Sequence, residues 1–158
     1  MESAMQTLLN CVCVSLGEVG WEGECCLEPA MVVWDQCCED GGKAWARLIN
    51  IYPSERFPGT SPPADPTKCE TQWAMNIELG AITCICFELC DCEVRAANVT
   101  KVMDMTAAMM QAMACCADSC GLDVRVGTVT TNSSSDDGSC AGVTMQVVVP
   151  LANFCCPA

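Results

Sequence analysis

Four times along this chain two cysteines stand side by side: Cys25-Cys26, Cys37-Cys38, Cys115-Cys116 and Cys155-Cys156. Adjacent cysteines bridge each other only with strain, so each pair is expected to tie one stretch of backbone to two separate places. The chain holds seventeen cysteines in 158 residues and no histidine. That density reads as a framework of disulfides and buried thiols. The count is odd, so at least one thiol is left over or a bridge crosses to another copy. Cys25, Cys26, Cys37, Cys38, Cys69 and Cys140 are the bridging candidates, with connectivity left open.

The missing histidine narrows the chemistry further. It removes the usual general base near neutral pH and the commonest metal ligand. Cys84, Cys86, Cys90 and Cys92 form a C-x-C-x3-C-x-C cluster, but the C-x2-C zinc-knuckle spacing occurs nowhere. Gly138-Ser139-Cys140-Ala141-Gly142 has a cysteine where a nucleophile would sit. It reads better as a turn entering a strand, because no histidine can activate the thiol and Asp136 and Asp137 would raise its pKa. The pairs Glu39-Asp40 and Asp136-Asp137 lie in Gly- and Ser-rich turns without EF-hand spacing, as solvated surface does. No catalytic residue, cofactor or metal site is expected.

Twenty acids against seven bases give a net charge of −13. Nucleic-acid affinity comes largely from Lys and Arg, so gripping phosphates is excluded as a main role. No apolar run approaches the roughly 20 residues of a membrane helix. Glu2 stands where a signal peptide's basic region should be, and Asn10 interrupts the apolar stretch. A disulfide-type composition without an export signal has one resolution in a protein made in a cytoplasm whose working life is spent outside the cell after lysis.

The patterning predicts one α+β domain over 1–158: a mixed, mostly antiparallel sheet flanked by two helices, in the order α-β-β-β-α-β-β. Residues 2–17 place Met5, Leu8, Leu9, Val12 and Leu16 at helical spacing. Residues 20–29 read as a cysteine-rich turn region and 30–34 as a short strand. Residues 43–52 read as a strand with Trp45, Arg47, Ile49 and Ile51 on one face, closed by Pro53. Residues 53–71 form a long Pro-rich loop, a length that tends to be functional. Residues 72–87 alternate through Trp73, Met75, Ile77, Leu79 and Ala81. A helix at 96–116 carries the seam Val102, Met105, Met109, Ala112 and Cys116. Met105, Met109 and Met113 share its core side, while Met103 and Met110 point off it toward a partner. Strands at 122–131 and 143–150 close the domain.

The distinctive string is Trp45-Ala46-Arg47-Leu48-Ile49-Asn50-Ile51-Tyr52-Pro53-Ser54-Glu55-Arg56-Phe57-Pro58. It resembles a segment of neck proteins, tail terminators and head-to-tail connectors, of long-tailed phages that infect actinobacteria. Those chains carry an aromatic-x-R-L/V strand running into YPS and then FP, matched here by Trp45, Arg47, Leu48, Tyr52, Pro53, Ser54, Phe57 and Pro58. A later P-x-x-C and a W-A strand are matched by Pro66, Cys69, Trp73 and Ala74, and the Gly-Ser-Cys-Ala-Gly turn is similar to the family's ending. Val143 departs from the aromatic residue usual after that turn.

The resemblance covers about residues 25–150 and implies a lambda-type tail-terminator fold. It implies a homohexameric ring that caps the tail tube protein and joins the head-to-tail stopper, with DNA passing through the lumen without sequence-specific binding. Arg56, Phe57 and Pro58 are the expected inter-subunit or neck contact. A stopper or adaptor ring is the alternative within the class, and a cysteine-rich metal-binding or redox protein the alternative outside it.

Overall fold

Helix α1 (Glu2–Glu18) buries Leu8, Leu9, Cys11, Val12 and Leu16 along one face. Its end is built by Gly20, whose φ of +75° only glycine adopts cheaply. Trp21 N–H then donates to the Leu16 carbonyl at 3.1 Å and Gly20 N–H to that of Gly17, the paired bonds of a Schellman cap. The cap turns the chain so that Trp21 packs back into the core, its indole N–H donating to the Ile82 carbonyl at 3.1 Å.

The computed structural model describes residues 2–29, 41–59, 63, 65, 71–85, 92–117, 119–133 and 140–151. Strand β1 (Glu24–Leu27) is followed by β2 (Gly42–Ser54), β3 (Gln72–Cys84), α2 (Cys92–Gln111) with a π-helical turn (Ala112–Ala117), β4 (Arg125–Ser133) and β5 (Cys140–Leu151). The five strands form one sheet in the order β1-β2-β3-β5-β4. Only β1 and β2 run parallel. The chain is thus an α+β protein with a mixed, mostly antiparallel sheet, in the element order that the patterning predicts.

Several details differ from the expectations. A strand occupies 24–27, inside the supposed turn region; it owes its conformation to parallel pairing with Lys43–Ala46, a contact no local pattern signals. The strand expected at 30–34 lies outside the described residues. Strand β2 does not stop at Pro53 but runs to Ser54, paired with β3 throughout. Its β1 side has no described neighbour at that level, and proline is tolerated on such an edge. A register shift between Leu48 and Asn50 also splits β2's expected face. Before it Trp45 and Arg47 point away from the helices, and after it Ile51 packs on the helix-side core. A bulge adds one residue and so reverses the alternation.

Both helices cover the same face of the sheet. Met75, Ile77, Leu79 and Ala81 of β3 and Val143, Met145, Val147 and Val149 of β5 meet Met105, Ala108 and Met109 of α2. Helix α2 starts one turn earlier than predicted. Its wide π-helical turn carries the buried seam on through Met113 to Ala117, one place past where α-helical spacing puts it. The side chain of Cys116, expected on that seam, lies outside the described set. Met103 and Met110 are 65% and 53% exposed, off the core as read from the sequence.

Candidate functional site

The sheet's other face is organised around Trp45. Its ring lies flat across β3, where a Cβ on Gly80 would stand 2.1 Å from the ring carbon Cζ2. Only glycine permits that approach, and it brings Trp45 against Ile82 and Cys140 in a second small core. The indole N–H donates to Glu78 Oε1 at 3.2 Å. Arg47, directly across from Glu78 in the ladder, donates from Nε at 2.7 Å and from its second guanidinium nitrogen at 2.9 Å. These charge-assisted bonds hold the Glu78 carboxyl below the usual range; Trp45 adds to the effect and burial opposes it. The same hydrogen bond raises the Arg47 pKa.

Strand β2 then delivers the chain to the expected contact. Gly59 N–H donates to the Arg56 carbonyl at 2.8 Å, closing a turn through a cis Phe57–Pro58 peptide. Three side chains fasten this turn to the strand ends. Tyr52 hydroxyl donates to the Pro58 carbonyl (3.3 Å), Ser54 hydroxyl to the Gly59 carbonyl (2.6 Å), and Phe57 N–H to Gln72 Oε1 (3.3 Å). Burial pushes the Tyr52 phenol pKa up. Arg56, Phe57 and Pro58 therefore sit together on one tip, with Arg56 and Pro58 exposed and Phe57 half-buried.

Among the described bases, Lys43 pairs with Glu28, Arg47 with Glu78 and Arg125 with Asp123. Arg56 makes no ion pair among the described residues. Arg56 thus stands on a fastened turn with no carboxylate partner among the described residues, in a chain of net charge −13.

The cysteines divide. Cys25 is bridged to Cys13, joining β1 to α1, and Cys11 and Cys140 are also disulfide-bonded. Cys26, expected in a bridge, is instead a free thiol. Alternation in β1 explains the split: Cys25 and Leu27 face the helices, and Cys26 faces the opposite side beside its ladder partner Trp45. Cys37, Cys38 and Cys69 lie outside the described residues, as do Pro66, the pairs Glu39-Asp40 and Asp136-Asp137, and Cys86 and Cys90. Among the described residues no group of three or more cysteines and carboxylates is placed to hold a metal, and no helix is long and apolar enough to cross a membrane.

No known protein family matches this chain, and no curated protein is significantly similar to it.

The positions that the sequence reading missed are those that hold the tip and its strand: Gln72, Gly59, Gly80, Glu78 and the bridge partner Cys13. Glu78 and Gly80 stand two residues apart in a strand whose alternation was legible, on the face assigned to polar residues. Their partners lie more than thirty residues away, so spacing alone held no sign of them.

Proposed function

We propose that this chain is a structural virion protein of a long-tailed phage, the tail terminator, forming a ring that caps the tail tube and joins the tail to the head-to-tail connector. The observation that carries the reading is the tip itself. The stretch that resembles the neck proteins, Trp45 to Pro58, is one strand and one turn, and its Tyr52, Ser54 and Phe57 positions all serve to fasten that turn. The resemblance thus falls on a coherent device that presents Arg56 outward with Phe57 half-buried beside it. A ring of identical acidic subunits needs a heterologous contact, and an exposed Arg with no ion pair among the described residues, next to an aromatic residue, suits an acidic neighbour. The net charge suits a lumen through which DNA slides without adhering.

Complementation of a phage lacking this gene tests the proposal. A ring that halts tube polymerisation should, when lost, leave tails of excess length that do not join heads, whereas loss of a stopper, which acts beneath the portal, should leave unjoined tails of normal length. Phe57→Ala, or deletion of residues 59–65, is expected to give the first phenotype in electron micrographs. Normal particles from both variants would sink the role of the tip, and normal-length unjoined tails would move the chain to the stopper.

A further inference from the structure

Among the described residues the sheet ends in two unlike edges, and together they suggest how copies meet. Strand β4 is a nine-residue edge rich in Val and Thr whose only charge is Arg125 at its start. Edge strands of that kind are normally blunted by charges or proline, because their unpaired N–H and carbonyl groups recruit another strand. The opposite edge, β1, is four residues long and carries Glu24.

Their levels in the sheet coincide. Tracing the ladder across, Glu24 lies in a row with Lys43, Ile82, Gly142 and Asn132, and Leu27 in a row with Ala46, Leu79, Met145 and Val129. The four residues of β1 therefore stand level with Val129–Asn132, the regular part of β4 beyond its bulge at Val126/Val129. The strand senses also fit. With β1 and β2 running one way, β3 the other, β5 back and β4 reversed again, β4 is opposite in sense to β1. Rotation about an axis along the strands preserves sense, so β4 of one copy meets β1 of the next antiparallel.

We infer that neighbouring copies pair β4 with β1 and continue the sheet from subunit to subunit. This rests on the ring reading above and names its contact. In the level register Val129 stands beside Leu27 of the next copy on the helix side, and Thr130 beside Cys26 on the opposite side. Asn132 then brings an amide to Glu24, a carboxylate that repels a second β1 edge but accepts a hydrogen bond from β4. A contact made of two different edges is heterologous, as a closed ring requires.

The free thiol of Cys26 supplies the test. Thr130→Cys places a second thiol opposite it. Because Cys92, Cys115 and Cys120 are also free and exposed, the readout is the specific link: mild oxidation of the purified protein is expected to give covalent oligomers whose non-reduced digest contains Cys26 disulfide-bonded to the thiol introduced at position 130. Adding Cys26→Ser should abolish that linked peptide. Native mass spectrometry of the parent is expected to show the ring, and Thr130→Lys should reduce it to monomer with an unchanged circular dichroism spectrum. Oxidised oligomers from which that linked peptide is missing, or no covalent oligomers at all, overturn the pairing. A ring mass that persists in Thr130→Lys overturns it too while leaving the terminator reading intact, since that reading is judged by tail length.

Discussion

Adding one methyl group at Gly80 should expose how the outer face of the sheet is held. The Cβ of Gly80→Ala would lie 2.1 Å from Trp45 Cζ2, 2.3 Å from Cε2 and 2.6 Å from Cη2. Real Cβ atoms do not approach so closely, so the indole must lift. Trp45 is 1% exposed and packed on Ile82 and Cys140, which leaves it little room. Overpacking of this kind costs about 1–3 kcal/mol. Lifting the ring also stretches its bond to Glu78, worth about 1 kcal/mol. Against this, replacing glycine in a strand returns roughly 0.5–1 kcal/mol of backbone entropy. The net is a loss of about 2 kcal/mol, or a fall in Tm of about 4–8 °C for a chain of this size.

A double-mutant cycle isolates the cause. In a Trp45→Leu background the clash is gone, and Gly80→Ala should then be neutral or stabilising by roughly 0.5 kcal/mol. Urea unfolding of the four proteins, followed by far-UV circular dichroism, gives the coupling energy. A coupling near zero, or a Gly80→Ala protein as stable as the parent, would refute the account of the tryptophan seat.

Other outcomes follow from the same contacts. Because Arg47 holds the Glu78 carboxyl below the ordinary range, near 4.3 when unfolded, its stabilisation is fully present above that value and disappears as pH falls through the lower folded value. Glu78→Gln should therefore lower Tm at neutral pH, by the equivalent of about 1–2 kcal/mol for a mostly shielded pair. The gap to the parent should close as pH is taken from 5 to 3, and a gap that widens toward acid would contradict the sign. Replacing Cys13 and Cys25 by serine opens a bridge of sequence separation 12 and should cost about 2–3 kcal/mol in denaturant unfolding without reductant. Leu8→Ala, at a fully buried site, should cost about 2–5 kcal/mol. Met103→Ala on the solvent face should stay within about 0.5 kcal/mol of the parent by the same measurement.

Local pattern determined a good part of this protein. Leu8, Leu9, Val12 and Leu16 recur at a helical period, and Met75, Ile77, Leu79 and Ala81 at a strand period, because each set must bury one side of a regular element. Those periods set the helices, the central strands and their order, and placed Met103 and Met110 outside the core. The length of the Pro-rich loop after residue 52 singled out Arg56, Phe57 and Pro58 as a contact candidate before any contact was known, although Pro53 and Ser54 belong to the strand.

Tertiary structure alone decided the rest. Strand β1 exists because Glu24–Leu27 found Lys43–Ala46, and four residues hold too little periodicity to announce a strand. The bulge at Leu48 reversed the facing of Ile51, which a strict period of two cannot foresee. Which cysteine of the Cys25-Cys26 pair is bridged depended on where Cys13 stood on α1, and the seat of Trp45 on a glycine in another strand. Each of these is a pairing between distant residues, and its free energy belongs to the assembled sheet rather than to any stretch of chain.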